Sequence, residues 1–153
     1  MYQMSMFTWL KLIRGLRKRG GNRRESGAFL LGRKDNDKVT KVIYYDELEP
    51  DVSSSGIIVF SQVGHIELFS LLKELDLEVK ADIHTHPGQN TQQSASDQRH
   101  PMIRLKGHIA MIAPNFAQKK FLLPRECSAY LYQGSFSWKQ LMNEAFPIRL
   151  TLL

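Results

Sequence analysis

The chain has 153 residues, 42% of them apolar and 24% charged, with a formal net charge of +6 at pH 7. This length allows one domain with a sizeable core and is short for two, and the composition is that of a globular rather than a disordered chain. No apolar run approaches the roughly 20 residues that span a bilayer, and Cys127, the single cysteine, leaves no internal disulfide and no cysteine-based metal cluster.

The cations are concentrated at one end. Residues 1–24 carry Lys11, Arg14, Arg17, Lys18, Arg19, Arg23 and Arg24 and no acid. Met6, Trp9, Leu10, Ile13 and Leu16 recur there at helical spacing, opposite the basic residues. The pattern predicts an amphipathic helix over 5–19, stopped by the breaker Arg19–Asn22. Charges interrupt the apolar positions from Lys11 onward, so the stretch does not read as a signal peptide and a cytoplasmic protein is expected. A solvated helix face is the simpler reading of the basic residues; contact with nucleic acid or an acidic surface is the alternative.

A strand is expected over Glu25–Gly32, then a turn and a second strand over Val39–Asp46, making a hairpin. Glu47 to Gly56 reads as loop, Ile57–Phe60 as a short buried strand, and Ser61–Asp76 as a helix with a broad buried face. Strand Glu78–His84 leads into a polar loop, and a helix from about Ser94 to Leu105 follows. Gly107–Pro114 is expected as a buried strand. Lys119–Leu123, Cys127–Gln133 and Ser135–Gln140 look like further strands, with turns at Pro124 and Gly134. The last residues are ambiguous. Strands and helices are mixed, so the expected class is α/β (α+β): a single domain over 1–153, with a mixed β-sheet flanked by helices.

The chemistry concentrates in Asp82–Asp97, which reads DIHTHPGQNTQQSASD. Residues two apart in a strand share a face, so His84 and His86 present two imidazoles side by side. Pro87 ends the strand because it lacks an N–H to donate. Two imidazoles and a carboxylate are a common ligand set for catalytic zinc, and Asp97 supplies the carboxylate if Gly88–Gln93 folds back. A second explanation stands beside this one. Ser94 and Asp97 match a helix capping box, which alone accounts for both residues. A hydrolytic metal also needs a proton shuttle that is not a ligand. Asp82 and Glu78 are close in sequence, and Glu25 is a distant candidate that spacing alone does not select. Asp82, on the same strand face as the histidines, can also orient an imidazole.

The run His84-x-His86-Pro87, six residues, Ser94, two residues, Asp97 resembles the signature of the JAMM, or MPN/JAB-type, zinc metalloproteases. Glu25, in ESGAFLLG after a first helix, resembles that family's early glutamate. The likeness in element order extends over roughly residues 5 to 115. The resemblance implies a cytidine-deaminase-like fold and one zinc (Zn2+) per chain, held by His84, His86, Asp97 and a water. It implies Glu25 as the proton shuttle and Ser94 as a hydrogen-bond donor to the oxyanion. The implied activity is hydrolysis of an isopeptide or peptide bond after the C-terminal tail of a ubiquitin-like or sulfur-carrier protein. Activating and conjugating enzymes of the same pathway are the implied partners. The chain looks more like the short bacterial members, which serve protein maturation or anti-phage defence, than like eukaryotic complex subunits. The alternatives are a non-catalytic interaction module of the same fold and a nucleic-acid-associated accessory protein acting through residues 1–24. Cys127, in an apolar strand-like run, is expected to be a buried structural thiol. His65, His100 and His108 are expected to be structural or surface residues rather than ligands.

Overall fold

The computed structural model describes residues 1–152. Strand β1 (Tyr2–Ser5) enters helix α1 (Met6–Gly20). Ser5 caps the helix by accepting a hydrogen bond from the Thr8 N–H at 3.0 Å. At the other end, Gly21 adopts the left-handed conformation and returns its N–H to the Arg17 carbonyl. Trp9, Leu12, Ile13 and Leu16 form the buried stripe of α1, and the Trp9 indole N–H donates to the Leu122 carbonyl at 2.7 Å.

Six strands make the main sheet, in the order β3-β2-β4-β5-β6-β7. They are β2 (Gly27–Gly32), β3 (Lys41–Tyr44), β4 (Glu78–Thr85), β5 (Ile109–Ala113), β6 (Ser128–Gly134) and β7 (Ser137–Leu141). β4 and β5 run parallel and the other neighbours antiparallel, so the sheet is mixed. Alternation along β2 divides the core. Ala28 and Leu30 face α1 together with Ala81, Ile83 and Met111. Phe29 and Leu31 point the other way, toward Ile43, Tyr45 and Leu68. A helix therefore covers each face: α1 on one, α3 (Gln62–Leu75) on the other.

Several local expectations are revised. A two-stranded parallel ribbon of β1 and β8 (Ile148–Thr151) adds to the main sheet and had no clear sequence signal. A short helix, α2 (Tyr45–Leu48), follows β3 directly. Ile57–Phe60 is not a strand: Ile57 and Val59 are each 60% exposed. The broad buried face expected for α3 is absent, because only Gly64 and Leu68 are buried while Val63, Ile66 and Phe69 are exposed. Helix α4 spans only Ala95–Arg99, because Pro101 disfavours helical backbone at His100. Lys119–Leu123 is a turn with Phe121 exposed and Leu122 buried.

Candidate metal centre and cleft

His84 belongs to β4, which is paired on both sides, with Gly27 of β2 and Ile112 of β5 as its register partners. His86 follows the strand and is tied to the turn after β5. Its N–H donates to the Ala113 carbonyl and its own carbonyl accepts from the Phe116 N–H, both at 2.9 Å. The two imidazoles share a face, as the spacing requires, with their Nε2 atoms 3.2 Å apart.

The loop after Pro87 folds back and brings Asp97 to both rings. Asp97 Oδ2 lies 3.1 Å from His86 Nε2, and Oδ1 lies 3.4 Å from His84 Nε2. Ligand bonds near 2.05 Å in a tetrahedron imply ligand-to-ligand edges of about 3.3 Å. The edge between the two imidazoles matches that value and each ring lies beside one oxygen of Asp97, so His84, His86 and Asp97 can hold a metal ion. His86 Nδ1 lies 3.0 Å from the Asn90 carbonyl. A carbonyl only accepts, so Nδ1 carries a proton, and Nε2 is the atom left for an ion once its own proton is lost.

The capping box is present as well. Ser94 Oγ accepts from the Asp97 N–H at 3.0 Å, and Asp97 Oδ2 accepts from the Ser94 N–H at 2.9 Å. The two readings of Ser94 and Asp97 are compatible: the cap fixes the carboxylate that completes the cluster. Burial alone would push the Asp97 carboxyl up. Hydrogen bonds from His84, His86 and the Ser94 backbone outweigh it and hold the group well below the usual carboxylate range. The hydrogen bond to Asp97 is the largest influence on His86 and raises its pKa against the opposing effect of burial; the charge of Glu25 adds to the rise.

Glu25 lies just before β2 rather than in it, and it lines the same cleft as the three ligand residues. Its Oε1 accepts from the Ile58 N–H at 3.3 Å, so Oε2 is free of that bond. Gly27, two residues on, is required by packing: a Cβ there would lie 2.1 Å from the Tyr45 ring. The cleft measures about 580 Å³, within the range of small-ligand sites. Ile57–Phe60, His100, Pro101 and Met102 line it, together with Ser94 and Trp138.

The other shuttle candidates are engaged with other partners, although Asp82 also lines the cleft. Glu78 pairs with Lys80 at 2.7 Å. Asp82 is buried and accepts from the Tyr45 hydroxyl at 3.0 Å rather than bonding an imidazole of the cluster. Its Oδ1 faces His108 Nε2 at 3.5 Å, beyond good hydrogen-bond length, and neither atom has a hydrogen-bond partner among the described residues. His65 bridges the carbonyls of Ser61 and Met102 and lines the cleft. His100 is exposed and bonds back to Ser96. Cys127 is free and buried, and burial pushes its thiol up, out of nucleophilic range at neutral pH. In the basic segment, Arg17 donates to the carbonyls of Ala117 and Lys119, and Arg19 pairs with Asp46 while lying over the Tyr44 ring.

Four participants carried no sequence signal: Asn90, which sets the tautomer of His86; the Ile58 amide; and Tyr130 and Trp138. Tyr130 and Trp138 lie in runs expected as strands, and only the sheet order places β6 and β7 beside the motif loop.

No family model matches the chain. Among solved structures, it is similar to a protein of Desulfitobacterium hafniense at 17% identity, over 99% of this chain and 93% of that one, with a TM-score of 0.67. A protein of Salinibacter ruber strain DSM 13855 aligns over 92% of this chain and 88% of its own, at 15% identity and a TM-score of 0.51. A JAB1/MPN domain protein of Archaeoglobus fulgidus aligns over 98% of this chain and 97% of its own, at 14% identity and a TM-score of 0.48. At these identities the likeness is one of fold, and it is carried by the first two.

Proposed function

We infer that the protein is a zinc-dependent isopeptidase or peptidase that cuts after the C-terminal tail of a ubiquitin-like or sulfur-carrier protein. One observation carries this reading. Three ligand groups from a strand, a strand end and a capped turn bring one atom each within 4.8 Å of one another, in a cleft that also contains Glu25 and Ser94. The match of His84, His86, Ser94 and Asp97 to the JAMM spacing supports it from the sequence side.

A divalent ion bound at this set supplies Lewis-acid chemistry to an amide carbonyl and to a water. His84 and His86 would offer neutral Nε2 atoms and Asp97 an ionised carboxylate, so the protein would bring three ligands and one negative charge to the ion. Glu25 takes a proton from the attacking water and delivers it to the leaving amine. Its Oε1 bond to the Ile58 amide orients the carboxylate and leaves Oε2 for the proton. The Ser94 hydroxyl accepts from the Asp97 N–H and retains its own proton, which it donates to the carbonyl oxygen as charge develops there. An extended tail with small side chains would run along Ile57–Phe60, which line the cleft.

The test is cleavage of linear and branched fusions of ubiquitin-like proteins by the purified chain. Metal-dependent release of the free tail is expected, lost on chelation and restored by zinc. Intact substrate across a panel of such fusions, with metal bound, would remove the substrate assignment.

A further inference from the structure

The two histidines and the aspartate of the cluster are held by very different means. His84 sits in the sheet centre between two strands. Asp97 sits on the five-residue α4, which buries no residue. The contacts inside the motif loop, from His86 to Asn90 and within the Ser94–Asp97 cap, fix its shape. They do not fix where that shape sits relative to the sheet. A metal site needs its ligands placed within about half an ångström, so something outside the loop has to place Asp97.

Two side chains of the neighbouring strands reach it. The Tyr130 hydroxyl on β6 donates to the Thr91 carbonyl at 2.8 Å, beside the contact between Thr91 Oγ1 and Ser128 Oγ. The Trp138 indole on β7 donates its N–H to the Gln98 carbonyl, next to Asp97 in sequence, at 3.0 Å. Both anchors are themselves fixed. Tyr130 is buried. Trp138 is the register partner of Tyr132 and its ring rests on that residue, with centroids 4.8 Å apart. The bonds grip the loop six residues before Asp97 and one residue after it.

We propose that Tyr130 and Trp138 are positioning residues for Asp97, and that by holding the ligand-bearing turn against the sheet they set the affinity of the cluster for a divalent ion. The proposal rests on the reading of His84, His86 and Asp97 as metal ligands. It predicts that removing either hydrogen bond loosens the third ligand while the histidine pair stays in place.

The test uses the purified full chain with Co2+ and Zn2+ as probes, in competition with a chromophoric chelator, and follows the visible absorption of bound Co2+. Tyr130→Phe and Trp138→Phe are compared with Tyr132→Phe. This control removes a hydroxyl on the same strand that accepts from the Phe136 N–H at 3.2 Å and does not touch the motif loop. Tyr130→Phe and Trp138→Phe are expected to bind metal about tenfold more weakly and to shift the Co2+ bands. Tyr132→Phe is expected to bind as the wild type does. Thermal midpoints of the metal-free Tyr130→Phe and Tyr132→Phe proteins are expected to be alike. Wild-type affinity in both loop-anchor variants overturns the proposal, and so does an equal loss in Tyr132→Phe. If Trp138→Phe does not fold, Tyr130→Phe decides. A wild-type chain that binds neither ion is a separate outcome: it removes the metal reading itself, and the proposal with it.

Discussion

The Nε2 atoms of His84 and His86 lie 3.2 Å apart, with the Asp97 carboxylate spanning both rings. The three groups converge only in the folded chain, so an ion that they share binds the folded state alone. Bound metal is therefore expected to stabilise the fold. At a free concentration of 100 times Kd the gain is about 2.7 kcal/mol, read as a rise in the thermal midpoint that a chelator reverses. Asp97→Ala is expected to abolish the rise; an unchanged rise would place the metal elsewhere.

Metal affinity depends on pH with a fixed sign. His86 must lose its Nε2 proton to bind an ion, and its pKa is raised, chiefly by the hydrogen bond to Asp97. Protons thus compete already above the ordinary histidine value of about 6.5. Asp97 is held ionised and adds no competition there. Affinity is expected to rise with pH through the raised pKa, to level off above it, and to fall about tenfold per unit below it. Chelator competition from pH 5.5 to 8.5 measures this, and a flat profile would contradict it.

Glu25 has no bond to the three ligands, so its role separates from theirs. Glu25→Gln keeps the shape and an acceptor for the Ile58 amide but cannot take a proton. Hydrolysis is expected to fall by about 10² to 10⁴, with metal content near one per chain. A metal-free Glu25→Gln protein would refute the assignment of proton transfer alone.

Ser94 has two jobs that different substitutions divide. Ser94→Ala removes the cap and is expected to cost about 1 kcal/mol, whereas Ser94→Gly costs only a few tenths. Both remove the hydroxyl proposed as the donor to the carbonyl oxygen. Both are expected to lose about 10² in rate, so rate and stability should part company in the glycine variant.

Exposure on α3 separates its residues sharply. Leu68→Ala is expected to cost about 2–5 kcal/mol. Ile66→Ser and Phe69→Ser should fall within about 0.5 kcal/mol of wild type. Denaturant unfolding measures all three, and a large loss at Phe69 would mean that this face is covered in solution.

The sequence carried the central features because they are local. Helix α1 is bounded by a serine and a glycine whose backbone roles follow from residue type. The same-face histidines follow from strand period, and Ser94 with Asp97 from cap spacing. The misses share a cause: each depends on which strand lies beside which segment. The apolar residues of α3 fit a buried helix by period, but only Gly64 and Leu68 of this helix meet neighbours closely enough to be buried. Ile57–Phe60 is apolar enough for a strand, yet it lines a cleft instead of joining the sheet. Tyr130 and Trp138 reach the motif loop only because β6 and β7 extend the sheet beyond β5.

The ribbon of β1 and β8 joins the first strand to the last, with Met4 opposite Leu150. The two strands run parallel, so the partner of the first cannot arrive until nearly the whole described chain has been made. Met4 and Ile148 are both buried against the stripe of α1. During synthesis that flank of α1 stays bare until the final strand emerges, which makes the late-arriving segment around Ile148 the latch that completes the core. Loop closure over so long a span is slow, and amide exchange after refolding would show protection at Met4 and Arg149 appearing together, after the central strands β4 and β5.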